Sequence, residues 1–231
     1  MIKNTIINRG VLKKIAVALS ELNEQVIYVG GAVVSLYIND PAADDVRPTK
    51  DVDISLSIAT LSELEAIRED LTKKGFIQTA EDNVICRFRY DDVKVDVMNT
   101  KNVGWAPANP WFAPGYLLKQ EVEIEGQRLQ ILPLSYFLAS KITAYNGRGK
   151  NEPRTSHDFE DIVYVLDNRT DIVDQILHAP ADVKIFLTSE LTAIQRDSVK
   201  QEAIMGNLFY ESRDIRFRKI MENIKTIVSN D

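Results

Sequence analysis

Thr49-Lys50-Asp51-Val52-Asp53-Ile54-Ser55-Leu56-Ser57-Ile58 is the stretch whose reading decides the fold. From Asp51 onward polar and apolar residues alternate without a break, which predicts a β-strand with two unlike faces. Residues two apart on a strand point to the same side. Val52, Ile54, Leu56 and Ile58 therefore enter a core, while Asp51, Asp53, Ser55 and Ser57 line the opposite, solvent-facing side. Aspartate is depleted in strands, so two at alternate positions need a reason. The plain one is the wet face of a sheet. The chemical one is that neighbouring carboxylates repel unless a cation lies between them. Magnesium does this while keeping water and phosphate in its other positions.

Upstream, the apolar run Val26-Ile27-Tyr28-Val29 meets Gly30-Gly31 and an apolar helix expected over 32–38. Glycines at such a turn let the backbone approach a phosphate, which helix N–H groups could bind; they serve equally well as a tight connection. Before it, Leu12, Ile15, Ala16, Leu19 and Leu22 predict an amphipathic helix over 11–22. Residues 40–50 read as a loop.

Downstream, a helix over 61–74 stops at Gly75, and paired strands at 84–90 and 93–98 bend at Tyr90-Asp91-Asp92. In the second of these the valines form one face and Lys94, Asp96 and Met98 the other. If this strand neighbours the first, Asp96 joins Asp51 and Asp53. Three carboxylates around two metal positions suit phosphoryl transfer. Arg87 and Arg89 share a face, where they pair with carboxylates or line an acceptor groove together with Lys94. An aromatic-rich loop over 99–114 carries Trp105 and Trp111, and two short strands flank Glu125-Gly126.

From Pro133 helical patterns take over, so the expected division is an α/β domain at 1–132 and a helical domain at 133–231, with 147–153 the most flexible connection. Lys141 falls within the apolar stripe of Leu134, Phe137, Leu138, Ile142 and Tyr145. An inward lysine needs a phosphate or carboxylate partner, or a route for its ammonium to water. Thr155-x-x-Asp158 has capping-box spacing, Asp161 falls toward the polar side of its helix, and the basic residues of 211–224 read as a solvated face.

The net charge of −6 argues against a broadly basic, nucleic-acid-coating surface but allows a local groove. Cys86 is the only cysteine and there are two histidines, so an intramolecular disulfide is excluded and a zinc site lacks its usual ligands. Any metal should be hard and oxygen-ligated. No signal peptide or membrane-spanning run is recognisable, which predicts a soluble, cytoplasmic protein without membrane contact.

Val29-Gly30-Gly31, a helix, Thr49-x-Asp51-x-Asp53 and a later strand bearing Asp96 follow in the order of a known pattern. The chain resembles the DNA-polymerase-beta-like nucleotidyltransferase superfamily, and is most similar to the minimal nucleotidyltransferases of the abortive-infection toxin type. In the helical half, Leu138-Ala139-Ser140-Lys141-Ile142 and His157-Asp158-Phe159-Glu160-Asp161-Ile162 match further motifs of that group, with His157 standing where the family has a basic residue.

The resemblance spans roughly residues 28–166. It implies an α/β fold with a mixed sheet flanked by helices, followed by a helical half that completes the active-site cleft. The implied reaction moves a nucleoside monophosphate from a nucleoside triphosphate to an acceptor. Asp51, Asp53 and Asp96 would hold Mg²⁺, or alternatively Mn²⁺, and Asp96 could accept the acceptor's proton. Gly30 and Gly31 would bind phosphate, with Lys141 neutralising it and Asp158 orienting Lys141 or the acceptor; Thr49, two before Asp51, could hydrogen-bond a phosphate or simply close the turn at Pro48. The implied acceptor is tRNA or another RNA and the implied partner an antitoxin. A small hydroxylated acceptor of the aminoglycoside type, or an inactive nucleotide-binding module, are the other readings.

Overall fold

In the computed structural model, which describes residues 3–148 and 152–230, the alternating stretch forms a strand near the middle of a six-stranded mixed sheet. The chain divides into two compact units, Met1–Leu36 with Asp45–Pro133, and Tyr37–Asp44 with Leu134–Asp231.

The first unit holds β1 (Val26–Val29), β2 (Asp51–Leu56), β3 (Arg87–Tyr90), β4 (Val93–Asn99), β5 (Gln120–Ile124) and β6 (Gln127–Ile131), in the order β3-β4-β2-β1-β6-β5. β2 runs antiparallel to β1 and parallel to β4, and β1 runs parallel to β6. The helices are α1 (Lys3–Leu19), α2 (Leu61–Lys73) and α3 (Phe112–Leu117). Val52, Ile54 and Leu56 are buried, as the alternation predicts. The opposite face is not uniformly wet: Asp51 is exposed, Asp53 is half-buried and Ser55 is fully buried. The aspartates therefore sit at the open end of that face.

α1 begins eight residues before the hydrophobic period does. The Asp45 carboxylate accepts the N–H groups of Asn4 (2.7 Å) and Thr5 (3.0 Å), capping the helix from the far side of a loop. The buried Asn8 side chain donates to the Arg47 carbonyl and accepts from the Thr49 N–H, both at 3.0 Å. Polar side chains thus fill the first turns, so an apolar pattern starting at 11 missed them. The helix expected over 32–38 is instead a short 3-10 segment, Gly31–Leu36, because the chain leaves this unit at Tyr37.

β3 begins at Arg87 rather than at 84, and Val84 and Ile85 are exposed. α2 opens on a reciprocal Thr60–Glu63 cap and the chain turns at Gly75 (φ +90°), as predicted. Glu125 and Gly126 both adopt positive φ, as a two-residue hairpin turn between β5 and β6 requires.

The second unit contains α4 (Leu134–Gly147), α5 (His157–Asn168), α6 (Ile172–Leu177), α7 (Ala181–Arg196), α8 (Ser198–Gly206) and α9 (Arg213–Ser229). α4 packs on α5 and α7, and α9 on α5 to α8. Phe137, Phe159, Leu187 and Ile224 lie in its core, each such burial contributing about 1.5–3 kcal/mol.

The Tyr37 ring stacks on Phe137 with centroids 4.1 Å apart, and the Asn39 and Asp40 N–H groups donate to the Asn168 carbonyl. α9 is not merely a solvated charged face. Arg216 pairs with buried Asp167 at 2.9 Å and reaches the Ala42 carbonyl at 3.3 Å. Of the connection at 147–153, residues 149–151 lie outside the described residues. Among the described residues, no helix is long and apolar enough to cross a membrane.

Candidate active site

The parallel register of β2 and β4 sets Asp53 beside Asp96 and Asp51 beside Lys94. Because parallel neighbours in register share a face, all three aspartates lie on one side of the sheet. β1 runs antiparallel on the other flank, with Val29 opposite Asp53, so the Gly30 turn is brought against the same carboxylate. Gly30 has φ +74°, and a β-carbon there would overlap the Asp53 carboxylate. Glycine is thus required twice, for its backbone conformation and for the close approach. At Gly31 a β-carbon would strike the Arg47 guanidinium. The turn opens only a six-residue 3-10 segment, so the helix N-terminus expected to receive phosphate is absent.

Cations border this face as well. Arg87, opposite Asp96 on β3, holds both of its oxygens, with Nε–Oδ1 and Nη2–Oδ2 distances of 2.7 Å. Lys94 Nζ lies 4.0 Å from Asp51. Arg89 instead takes the Asp82 carboxylate, at 2.7 and 2.9 Å, and draws it down to a pKa of about 2. The groove expected from Arg87, Arg89 and Lys94 is replaced by these ion pairs. Cys86 is buried beside the face; burial, together with the Asp96 and Asp53 charges, pushes its thiol up to about 11.

Among the described residues, no three acidic, histidine or cysteine side chains are gathered so as to hold a metal ion as they stand. The three aspartates share a face, but the Asp96 oxygens are turned to Arg87. The donor chemistry nevertheless fits a hard cation: carboxylates gathered on one face at the open end of a strand. Thr49, expected to bind phosphate, has its hydroxyl accepting the Asp51 N–H at 3.1 Å, where it closes the entry into β2. Trp105 is buried and donates its indole N–H to Glu65 at 3.0 Å.

The helical unit builds its own polar cluster. Lys141 Nζ lies 3.1 Å from Asp158 Oδ1 and 2.6 Å from Asp161 Oδ2, with all three side chains buried. Arg148 adds a contact to Asp158 at 2.8 Å. Of the partners open to an inward Lys141, the structure supplies carboxylates. Asp158 is not the third residue of a box capped by Thr155: the cap is Ser156, which accepts from the Phe159 N–H. Asp161 is buried rather than on the polar side. A helical wheel marks it as polar because the wheel cannot see a lysine arriving from another helix. The signal that could have found it is the pairing of one inward lysine with two aspartates one turn apart.

A family model described as nucleotidyl transferase AbiEii toxin, type IV toxin–antitoxin system, matches residues 14–226. No curated protein matches the sequence significantly. Similar solved structures include the crystal structure of an antigenic nucleotidyltransferase-like protein from Paracoccidioides brasiliensis. It is 19% identical with a TM-score of 0.47, over 87% of this chain and 93% of that one. The solution structure of the antibiotic-resistance factor ANT(2'')-Ia is 16% identical with a TM-score of 0.48, over 84% and 97% of the two chains.

Proposed function

The chain belongs to the AbiEii nucleotidyl transferase toxin family, and from that footing we propose that it transfers a nucleoside monophosphate from a nucleoside triphosphate to RNA, in a metal-dependent reaction. The observation that carries the reading is the register that sets Asp53 beside Asp96, with Asp51 on the same face and Gly30 pressed against Asp53. A pure binding module has no need to gather three carboxylates on one face. Asp51 and Asp53, joined by Asp96, are the residues that would hold Mg²⁺ or Mn²⁺. A divalent ion there supplies charge neutralisation at the departing pyrophosphate and a lowered pKa at the attacking hydroxyl.

The chain's own residues set the geometry of the exchange. Gly30 lets the Asp53 carboxylate pack against the turn, and the Thr49 hydroxyl fixes the start of β2 and hence the direction of Asp51. The acceptor hydroxyl oxygen bonds to the α-phosphorus as the bond to pyrophosphate breaks, and the hydroxyl proton leaves to a carboxylate of this face or to water. Lys141 serves here as the centre of a buried ion cluster that holds α4 to α5. The reading includes a cytoplasmic reaction, where nucleoside triphosphates and RNA are both at hand. Membership of a type IV toxin–antitoxin family makes a protein antitoxin the expected partner.

The test is incubation of the protein with each labelled nucleoside triphosphate, Mg²⁺ and total RNA at several salt concentrations. Label should move to RNA and fall as salt rises, because each phosphate contact made by the protein releases counterions. Absence of label on RNA, with transfer only to a small hydroxylated molecule, would overturn the choice of acceptor.

A further inference from the structure

Asp96 is the carboxylate that completes the acidic face, yet the Arg87 guanidinium covers both its oxygens. The pair is a cross-strand register match on β3 and β4, and its side chains are only 19% and 15% exposed. The contact is the two-pronged kind that fixes orientation as well as charge.

A purely structural role accounts poorly for its placement. The next arginine on the same strand face, Arg89, already ties β3 to Asp82, and backbone pairing closes the β3–β4 hairpin. Arg87 alone is aimed at the carboxylate that stands in register with Asp53. Around this face Arg87 lies 2.7 Å from Asp96, Lys94 lies 4.0 Å from Asp51, and the Arg47 guanidinium stands against Gly31. Arg87 occupies both of the oxygens that Asp96 would offer a divalent ion.

We propose that Arg87 is a positioning residue that competes with the divalent cation for Asp96. It holds Asp96 in the metal-free chain, and at least one Asp96 oxygen would have to leave it for Asp96 to join Asp51 and Asp53 in holding the ion. This rests on the metal-dependent reading above. Arg87 thereby weakens metal affinity and keeps the acidic face assembled without metal.

The experiment is Mn²⁺ titration of the full chain, followed by the electron paramagnetic resonance of free Mn²⁺, with no nucleotide present. Arg87→Gln removes the competing charge and should tighten Mn²⁺ binding about tenfold or more, the scale of a lost charge-assisted hydrogen bond. Arg87→Lys keeps a charge but not the two-pronged contact, and should fall between wild type and Arg87→Gln. The gain should vanish in Arg87→Gln/Asp96→Asn. Unchanged or weaker Mn²⁺ binding in both Arg87 variants overturns the proposal, and the lysine variant keeps the test open if the glutamine variant fails to fold. An Asp51→Asn/Asp53→Asn variant that binds Mn²⁺ like wild type overturns the metal reading itself. That failure is distinct, because it leaves Arg87 untouched.

Discussion

The Lys141 ammonium lies 2.6 Å from the Asp161 carboxylate, and both side chains are nearly inaccessible to solvent. The same ammonium also holds Asp158, so one α4 cation balances two carboxylates presented by successive turns of α5. Lys141→Met would preserve side-chain volume but leave two buried carboxylates facing each other. Breaking a buried pair by removing one partner costs about 3–5 kcal/mol. Arg148 recovers little of this, because its side chain is largely exposed where it meets Asp158. Urea unfolding should register the loss, and Lys141→Met/Asp161→Leu should regain part of it. A single variant as stable as wild type would mean the cluster holds nothing together.

Gly30→Ala should lose transferase activity out of proportion to its effect on folding. The substitution strains a backbone at φ +74° and drives a methyl group into the Asp53 carboxylate. The backbone cost alone is about 1–2 kcal/mol, so the domain should stay folded. The displaced carboxylate should abolish metal-dependent transfer. Activity assays beside thermal denaturation separate the two effects, and a folded, fully active Gly30→Ala protein would refute the close approach.

Asp51→Asn and Asp53→Asn test the acidic face directly. Each keeps the side-chain shape while removing one negative charge, so the fold should be retained. Transfer should fall about 100-fold or more, corresponding to about 3 kcal/mol of lost transition-state stabilisation. Single-turnover rates with saturating nucleoside triphosphate provide the measurement. Retained activity in either variant would remove that residue from the metal set.

Cys86 offers a probe of the same region that needs no substrate. Burial and the carboxylates of Asp96 and Asp53 push its folded pKa up to about 11, against about 8.5 for an unfolded cysteine. Because the folded value is raised, the associated stability is fully present below the unfolded value and is lost as pH climbs toward the folded one. Alkylation by iodoacetamide at pH 8 should be slow in the native protein and fast in urea. Equal rates would show that the thiol is neither buried nor electrostatically suppressed.

The acidic face was legible because it depends on local pattern. Alternation over Asp51–Leu56 and Val93–Met98 places each aspartate opposite a buried apolar row, and Gly75 and Glu125-Gly126 mark turns by their own backbone preferences. Three features were hidden for one shared reason. The Asp45 cap on α1, the Arg87 hold on Asp96 and the burial of Asp161 by Lys141 each join residues from different elements. The first was missed outright, and polar residues misread as solvated or as loop are its signature.

By itself the sequence determined the strands, their two faces and the acidic residues that line one of them, because side-chain period and turn propensity act over a few neighbouring residues. It also carried the family motifs. Only the tertiary structure decided which cation meets which carboxylate, since an ion pair depends on strand order and helix packing that no local period records. Strand order brought Arg87 rather than open solvent to Asp96, and the packing of α4 on α5 turned Lys141 toward Asp158 and Asp161. The physical reason is desolvation: a buried charge cannot remain unpaired, so the fold must bring it a partner from wherever the chain has one.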